Sequence, residues 1–230
     1  MSSELTREPL PLPPTEPLPI PSSFAQAASA LGYAGTAEQT QTLAQYLAAL
    51  LAMNEQMNLT AITSQDEAWV RHALDALSLL PHLAQVPAGR KLLDVGSGGG
   101  IPGIPIAIAR PDLKVTLLEA TQKKAAFLAA VSKQLGLGNI SVVSERAEDL
   151  ADSELARAFD VVTARAVARI SKLLGFTAPF VKPKGRLLFI KGQRADEELA
   201  EARGTLGRLR CKHIKTVVGA TGRVVELQVG

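Results

Sequence analysis

The chain is short of cysteine, of aromatic residues and of long apolar runs, and each shortage excludes something. A single Cys211 among 230 residues leaves no intrachain disulfide. One cysteine and three scattered histidines give no ligand spacing, so no metal is expected. Nothing approaches 18 consecutive apolar residues, so neither a membrane-spanning helix nor a membrane partner is expected. The first twenty residues lack a continuous apolar region, so no signal peptide is expected and a reducing cytoplasm is the simplest compartment. Aromatics make up 4% of the chain, too few for a platform that stacks single-stranded bases.

Positive charge is also scarce where the chain begins. Residues 1–89 carry two Arg and eight acids, whereas residues 90–230 carry 23 basic residues and 14 acids. The excess clusters further. Between Asp160 and Arg194 there are eight basic residues and one acid, and between Arg203 and Arg223 six basic residues and no acid. Clustered cations suit a phosphate backbone, with Arg169 and Lys191 as candidate contacts.

What is present reads as one α/β domain with an extension. Residues 1–23 hold seven of the 14 prolines and predict an extended or disordered tail. Residues 24–81 predict helices. Ala37 to Met57 and Asp66 to Leu80 both show a 3.6-residue apolar period, and Pro81 is expected to end the second. From residue 90 onward the pattern alternates. Strands are expected at 91–95, 114–119, 140–144, 159–163 and 185–190. Helices are expected at 102–110, 121–136, 152–158, 167–176 and 195–209. A closing hairpin is expected over 212–218 and 223–229. Seven strands, mostly parallel, with helices on both faces give a Rossmann-like α/β fold with an N-terminal helical extension.

The densest signal is Leu92-Leu93-Asp94-Val95-Gly96-Ser97-Gly98-Gly99-Gly100-Ile101-Pro102-Gly103. A strand ends in a carboxylate, a glycine-rich turn follows, and Pro102 opens an apolar helix. Such a turn lets the backbone approach a ligand closely, and the helix start favours an anionic group. No Gly-Lys-Ser/Thr follows, which excludes a P-loop. Gly98-x-Gly100-x-x-Gly103 fits dinucleotide spacing but leaves Asp94 and Gly96 without a role. Read as Asp94-x-Gly96-x-Gly98-x-Gly100, the run resembles motif I of class I S-adenosylmethionine methyltransferases. Glu119, at the tip of the second strand, suits both ribose hydroxyls in either cofactor class. Lys123 and Lys124 sit early in a helix, an unfavourable end for cations, which raises a phosphate-facing role above chance beside the default of a solvated pair.

Several segments occur in a characteristic order. They are Asn54…Asn58-Leu-Thr, Arg71-His72-Ala-Leu-Asp75, the Asp94 run, Leu117-Leu-Glu119 with Lys123-Lys124, Arg146-Ala-Glu148, Thr163-Ala-Arg165-Ala and Lys191-Gly192-Gln193. Over about residues 37–195 the chain resembles the RsmG (GidB) family of bacterial small-subunit rRNA guanine-N7 methyltransferases. The resemblance implies S-adenosylmethionine as cofactor and N7 of one guanine in the 530 loop of 16S rRNA as acceptor, in naked rRNA or an assembling small-subunit particle. It also implies cofactor contacts at Gly96, Ile101, Ala147, Glu148 and Arg165. Two departures stand out. Ala76 occupies a position where the family often has Ser, and the last strand, Arg223-Val-Val-Glu-Leu-Gln-Val, lacks the usual basic end.

The residues add chemistry of their own. Guanine N7 has an in-plane lone pair and no proton, so no His or carboxylate is expected to act directly. The fourth strand ends Val161-Val162-Thr163-Ala164-Arg165, not in the Asn/Asp-Pro-Pro-aromatic pattern of exocyclic amine methylation. Arg165 offers a planar fork for the cofactor carboxylate or an rRNA phosphate, and with His72 is expected to position the guanine. Arg71 and His72 are expected to project toward the RNA. Their alternative is a packed histidine and an Arg71–Asp75 ion pair one helical turn apart. Two rival functions remain open at this point. An NAD-dependent oxidoreductase would need a Tyr or His proton donor near the sheet, yet both Tyr33 and Tyr46 fall in the N-terminal helices. A non-catalytic RNA-binding module would carry a relic of the cofactor pocket.

Overall fold

The computed structural model describes residues 10–165 and 168–230. Seven strands form one sheet: β1 (Lys91–Val95), β2 (Lys114–Leu118), β3 (Ile140–Val143), β4 (Phe159–Arg165), β5 (Val181–Lys191), β6 (Cys211–Val218) and β7 (Arg223–Val229). Their order is β3-β2-β1-β4-β5-β7-β6, with β7 antiparallel to both neighbours and the rest parallel. The chain leaves β1 toward β2 and β3, then returns to place β4 on the other side. That reversal opens a crevice beyond the carboxyl ends of β1 and β4, where ligands of open α/β sheets bind.

The core strands are apolar on both faces because both are covered. Leu92, Val115, Leu117, Val161, Leu188 and Val224 pack into one layer. It contains α1 (Phe24–Ala30), α2 (Ala37–Met57), α6 (Gly103–Ala109) and α7 (Gln122–Gln134). Their alternating neighbours, among them Leu93, Val95, Val162, Leu187, Phe189 and Val225, face the opposite layer. That layer holds α8 (Ile170–Thr177), α9 (Ala195–Glu201) and α10 (Arg203–Arg208). Helix α2 starts at Thr36, which makes a capping box with Gln39, and buries Leu43, Tyr46, Leu47 and Leu50.

The second N-terminal helix is not the regular one expected. Short α3 (Gln65–Ala68) runs into a π-helical turn, Trp69–Leu74, and then α4 (Asp75–Leu77). Pro81 does not end this segment. It lies at the start of the next helix, α5 (Leu80–Leu83), where its missing N–H costs nothing. From residue 10 to 21 the proline-rich segment has no helix or strand, as expected, but it is not a free tail. It is docked: Leu18 is buried, its N–H donates to Ala44 O (3.2 Å), and Trp69 Nε1 donates to Pro19 O (2.9 Å). Residues 1–9 lie outside the described residues.

The helix expected at 152–158 is absent. A 3-10 turn, Ala147–Leu150, stands before it, and Ser153 Oγ donates to Leu150 O while accepting from Leu155 N. Such local side-chain bonds compete with helix. The helix expected at 195–209 breaks at Ala202 into α9 and α10, the second containing Gly204 and Gly207.

Candidate functional site

The glycine-rich turn lies in the crevice between β1 and β4, and its amides are nearly all engaged within the protein. Gly96 N and Ser97 N donate to Leu118 O (2.8 and 3.1 Å), and Gly100 N and Ile101 N donate to Ser97 O (2.7 and 3.2 Å). Gly98 N donates to Glu119 Oε2 (2.9 Å), Gly103 N to Asp94 Oδ2 (3.1 Å) and Ile104 N to Gly100 O (2.7 Å). Among residues 96–104, Gly99 alone has an amide without a protein acceptor. The expectation that this helix start takes an anionic ligand is therefore corrected. Pro102 and Pro105 have no N–H, and the buried Asp94 carboxyl supplies the acceptor for the Gly103 amide at the helix start. A pyrophosphate has no cluster of donors here and would face a carboxyl in the same place.

The turn nevertheless leaves room for a neutral or cationic ligand. Gly98 has φ +56°, and a Cβ there would meet nothing nearer than Gly96 O at 3.9 Å, so this glycine borders open space. At Gly103, in contrast, a Cβ would fall 2.3 Å from Leu117 and 2.9 Å from Asp94 Oδ2. Asp94 is fully buried, its Oδ1 has no partner, and burial pushes its carboxyl up to about 7. Tyr46 comes up from α2 beneath the turn, and its hydroxyl donates to Gly99 O (2.8 Å).

Glu119 follows β2 and is mostly buried. It accepts from Gly98 N and, through Oε1, from Thr121 N (2.8 Å). A carboxylate has about four acceptor positions, so half remain for sugar hydroxyls. Ala147 and Glu148 form the turn after β3 at the same edge, with Ala147 buried and Glu148 exposed. Gly96, Gly98, Ile101, Glu119, Ala147 and Glu148 thus come together at adjoining strand tips. An open glycine, a buried carboxyl with an orphaned oxygen and a half-used acid fit an adenosyl ligand with a positive end.

Beside the turn lies a cleft of about 660 Å³ between the N-terminal helices and the tips of β4 and β5. The π-helical turn presents Arg71 and His72 to it, a backbone irregularity frequent at functional sites. His72 is buried. Its Nδ1 donates to Arg71 O (3.0 Å), and its Nε2 accepts from the Thr60 hydroxyl (2.9 Å), which itself accepts from Ile62 N (3.0 Å). Burial, reinforced by the Arg165 cation, lowers the imidazole to about 4, so the ring is neutral. Arg165 donates to Arg71 O and lies 3.7 Å from Asp75 Oδ2. Asp75 does not pair with Arg71. It accepts from Thr221 N (3.0 Å) and from Thr221 Oγ1 at both oxygens (2.7 and 2.8 Å). With Ala76 buried, Ser78 supplies the neighbouring bond, accepting from Ala220 N (2.9 Å).

The expected RNA contacts separate into three kinds. Arg71 and Lys123 are exposed and Lys124 half-buried, with no ion pair among the described residues. Arg169 is exposed but paired with Glu201 (2.6 Å). Lys191 is corrected as a phosphate contact. Its ammonium is buried, donating to Ala168 O (2.6 Å) and paired with Glu198 (2.9 Å), so it braces the strand tip.

Thr60, Thr221 and the Tyr46 hydroxyl were not expected at the site. Thr60 lies in the Asn58-Leu-Thr stretch, read only as a polar loop, and Thr221 in a turn read only as a hairpin end. Tyr46 lies in an N-terminal helix as expected, whereas Tyr33 lies between α1 and α2; Tyr46 nevertheless reaches the glycine turn, and His72 reaches the cleft. Burial pushes the Tyr46 phenol well above the usual range, and its hydroxyl proton is committed to Gly99 O.

A sheet of this order, with an acid after β2 and a turn sealed against phosphate, defines a class I S-adenosylmethionine-dependent methyltransferase. Solved structures share the fold. An O-methyltransferase from Bacillus cereus in complex with SAH matches at a TM-score of 0.56, 18% identity, and 81% and 91% coverage of the two chains. A SAM-dependent methyltransferase from Aquifex aeolicus matches at 0.54, 18% identity, and 69% and 91% coverage. Residues 39–224 match the family described as rRNA small subunit methyltransferase G, and the chain belongs to that family. Ribosomal RNA small subunit methyltransferase G of Sorangium cellulosum is 57% identical over 222 residues, covering 96% of this chain and 93% of its own. The protein of that name from Lactobacillus delbrueckii is 40% identical over 191 residues, covering 82% and 80%.

Proposed function

We propose that the chain methylates N7 of one guanine in the 530 loop of 16S rRNA, in naked rRNA or a small-subunit assembly particle, in the cytoplasm. The observation that carries this reading is the cleft framed by Arg165 and His72, which opens beside the sealed glycine turn and in which His72 and Asp75 are both already hydrogen-bonded within the protein. Gly96, Gly98, Ile101, Glu119, Ala147, Glu148 and Arg165 would hold S-adenosylmethionine. When bound, it supplies a methyl group carried on a sulfonium.

The chain's own residues have positioning to perform. Guanine N7 loses no proton on alkylation, so nothing must accept one. A neutral His72, fixed between Thr60 and Arg71 O, and an Asp75 fully occupied by Thr221 and Arg165 match that requirement. Alignment of two bound groups contributes roughly 7–11 kcal/mol toward a displacement reaction. Arg165 orients the cofactor carboxylate or an rRNA phosphate, and with His72 limits the guanine ring to one pose. An exposed Arg71 and the Lys123–Lys124 pair meet phosphates at the rim.

Calorimetry with S-adenosylhomocysteine and with NAD tests the cofactor; heat with the first and none with the second is expected. Mass mapping of small-subunit rRNA from cells lacking the chain tests the acceptor. One missing N7-methylguanine in the 530 loop is expected, and an unchanged map sinks the proposal.

A further inference from the structure

The two basic clusters of the sequence do not gather at the site. At the carboxyl edge, Arg169, Lys191 and Arg194 are paired with Glu201, Glu198 and Glu197 of α9. At the opposite, amino edge, two clefts of about 320 and 410 Å³ share Pro183. Arg157, Lys184, Arg208 and Arg210 line them, all exposed and without an ion pair among the described residues. Arg90 and Lys182 share the single acid Asp160 (3.2 and 3.0 Å).

A second observation concerns the backbone. Outside glycine, the described residues with positive φ are Asn58, Arg157 (+50°), Lys184 (+64°) and Arg210 (+53°). Asn58 ends α2, where a left-handed Asn is ordinary. The other three are cations, and all three line these two clefts. Left-handed backbone is unfavourable for long side chains and far less so for Gly or Asn. Each is held in place: Arg157 N donates to Pro179 O (2.9 Å), Gly230 N donates to Arg210 O (2.8 Å), and Lys184 lies where the β4–β5 register shifts. Strain retained where a cheaper residue would serve indicates a side chain kept for use.

We propose that this amino-edge face is a second RNA-binding surface, gripping the phosphate backbone of a segment distant from the target guanine. It rests on the rRNA reading above. Strand β5 runs from Lys182 at one edge to Lys191 at the other, on the order of 30 Å at about 3.3 Å per residue. A short hairpin seated in the methyl-transfer cleft does not reach around that distance. A folded 16S rRNA, with several helices converging, does. The enzyme therefore recognises the assembled shape of its substrate as well as the loop it modifies.

The test is the triple variant Arg157→Asn, Lys184→Asn, Arg210→Asn. Asn suits all three backbone conformations, so thermal stability is expected to equal or exceed that of the wild type, and S-adenosylhomocysteine binding to be unchanged. Each phosphate contact gives a slope of roughly 0.7–0.9 in log K against log salt, a factor of about 4–5 near ~0.15 M. Affinity for a full-length 16S rRNA transcript is expected to fall about 100-fold, with a slope shallower by about two to three. Affinity for a short hairpin bearing the target loop is expected to hold. A stable variant with wild-type affinity and slope on the transcript overturns this surface alone. A wild-type chain that binds no RNA overturns both this surface and the rRNA reading.

Discussion

Replacing Thr221 by Val removes one hydroxyl, and its effect should reach Arg165 through Asp75. The Thr221 hydroxyl donates to both oxygens of a buried carboxylate at 2.7 and 2.8 Å. Val has the same shape, so packing is kept while the bond is lost. A hydrogen bond to a charged group contributes about 1.5–3 kcal/mol. For a domain of this size each 1 kcal/mol shifts Tm by about 2–4 °C, so a fall of about 3–12 °C is expected. Burial already raises the Asp75 carboxyl, and the Thr221 side chain is the largest influence pulling it down. Without it the carboxyl rises further.

The sign of the pH effect follows. The hydroxyl stabilises the ionised form, so the deficit of Thr221→Val grows as pH rises through the Asp75 pKa and shrinks below it. Methyl transfer should respond as well, because only an ionised Asp75 holds Arg165. The acid limb of kcat/KM moves to higher pH in Thr221→Val and returns in Thr221→Ser, which restores the donor. Urea denaturation at pH ~4 and ~8, with a pH–rate profile, measures both. Equal deficits at the two pH values, or a Ser variant no better than Val, would refute the chain of positioning from Thr221 to Arg165.

Gly98→Val should fold and fail to bind cofactor. Its Cβ enters open space, and the left-handed backbone costs roughly 1–2 kcal/mol; S-adenosylhomocysteine affinity should fall more than about tenfold, and calorimetry showing wild-type affinity would remove Gly98 from the pocket. His72 should stay neutral down to pH ~5, since burial and Arg165 depress it to about 4. Its ring signals in NMR should be those of a neutral imidazole with Nδ1 protonated, and titration near 6.5 would contradict the Thr60–His72–Arg71 arrangement.

The sheet was legible because buried strands and amphipathic helices differ in period, and all seven strands lie near their expected positions. The helix expected at 152–158 failed because Ser153 closes a local turn that competes with helix. The regular helix through Arg71 and His72 failed because a π-helical turn leaves no mark on apolar spacing. Glu119 and the glycines could be placed from strand–turn order alone. Thr60 and Thr221 could not, since their roles depend on partners 12 and 146 positions away. Charge was legible as clusters along the chain but not as geography. Helices α9 and α10 bring Arg208 and Arg210 back to the amino edge, and acids of α9 pair the cations left at the other.

The glycine spacing fits both a dinucleotide and an adenosyl cofactor, and the carboxyl nine residues before Gly103 decides between them. Asp94 Oδ2 takes the Gly103 amide that a pyrophosphate would need. Full burial with one orphaned oxygen makes that carboxyl expensive to ionise, and its pKa rises to about 7. The raised value has a consequence for stability. The Asp94 contribution is fully present below the ordinary carboxylate range and is lost as pH rises toward 7, by on the order of 4 kcal/mol. Asp94→Asn retains an oxygen for Gly103 N and has no charge to desolvate. Its stability should therefore vary less between pH ~4 and ~8 than that of the wild type, and it should overtake the wild type at the upper end. Denaturant unfolding across that range, with the cofactor left out, measures the difference. Parallel curves for the two proteins would mean that Asp94 is ionised at little cost, which would refute the raised carboxyl that its burial implies.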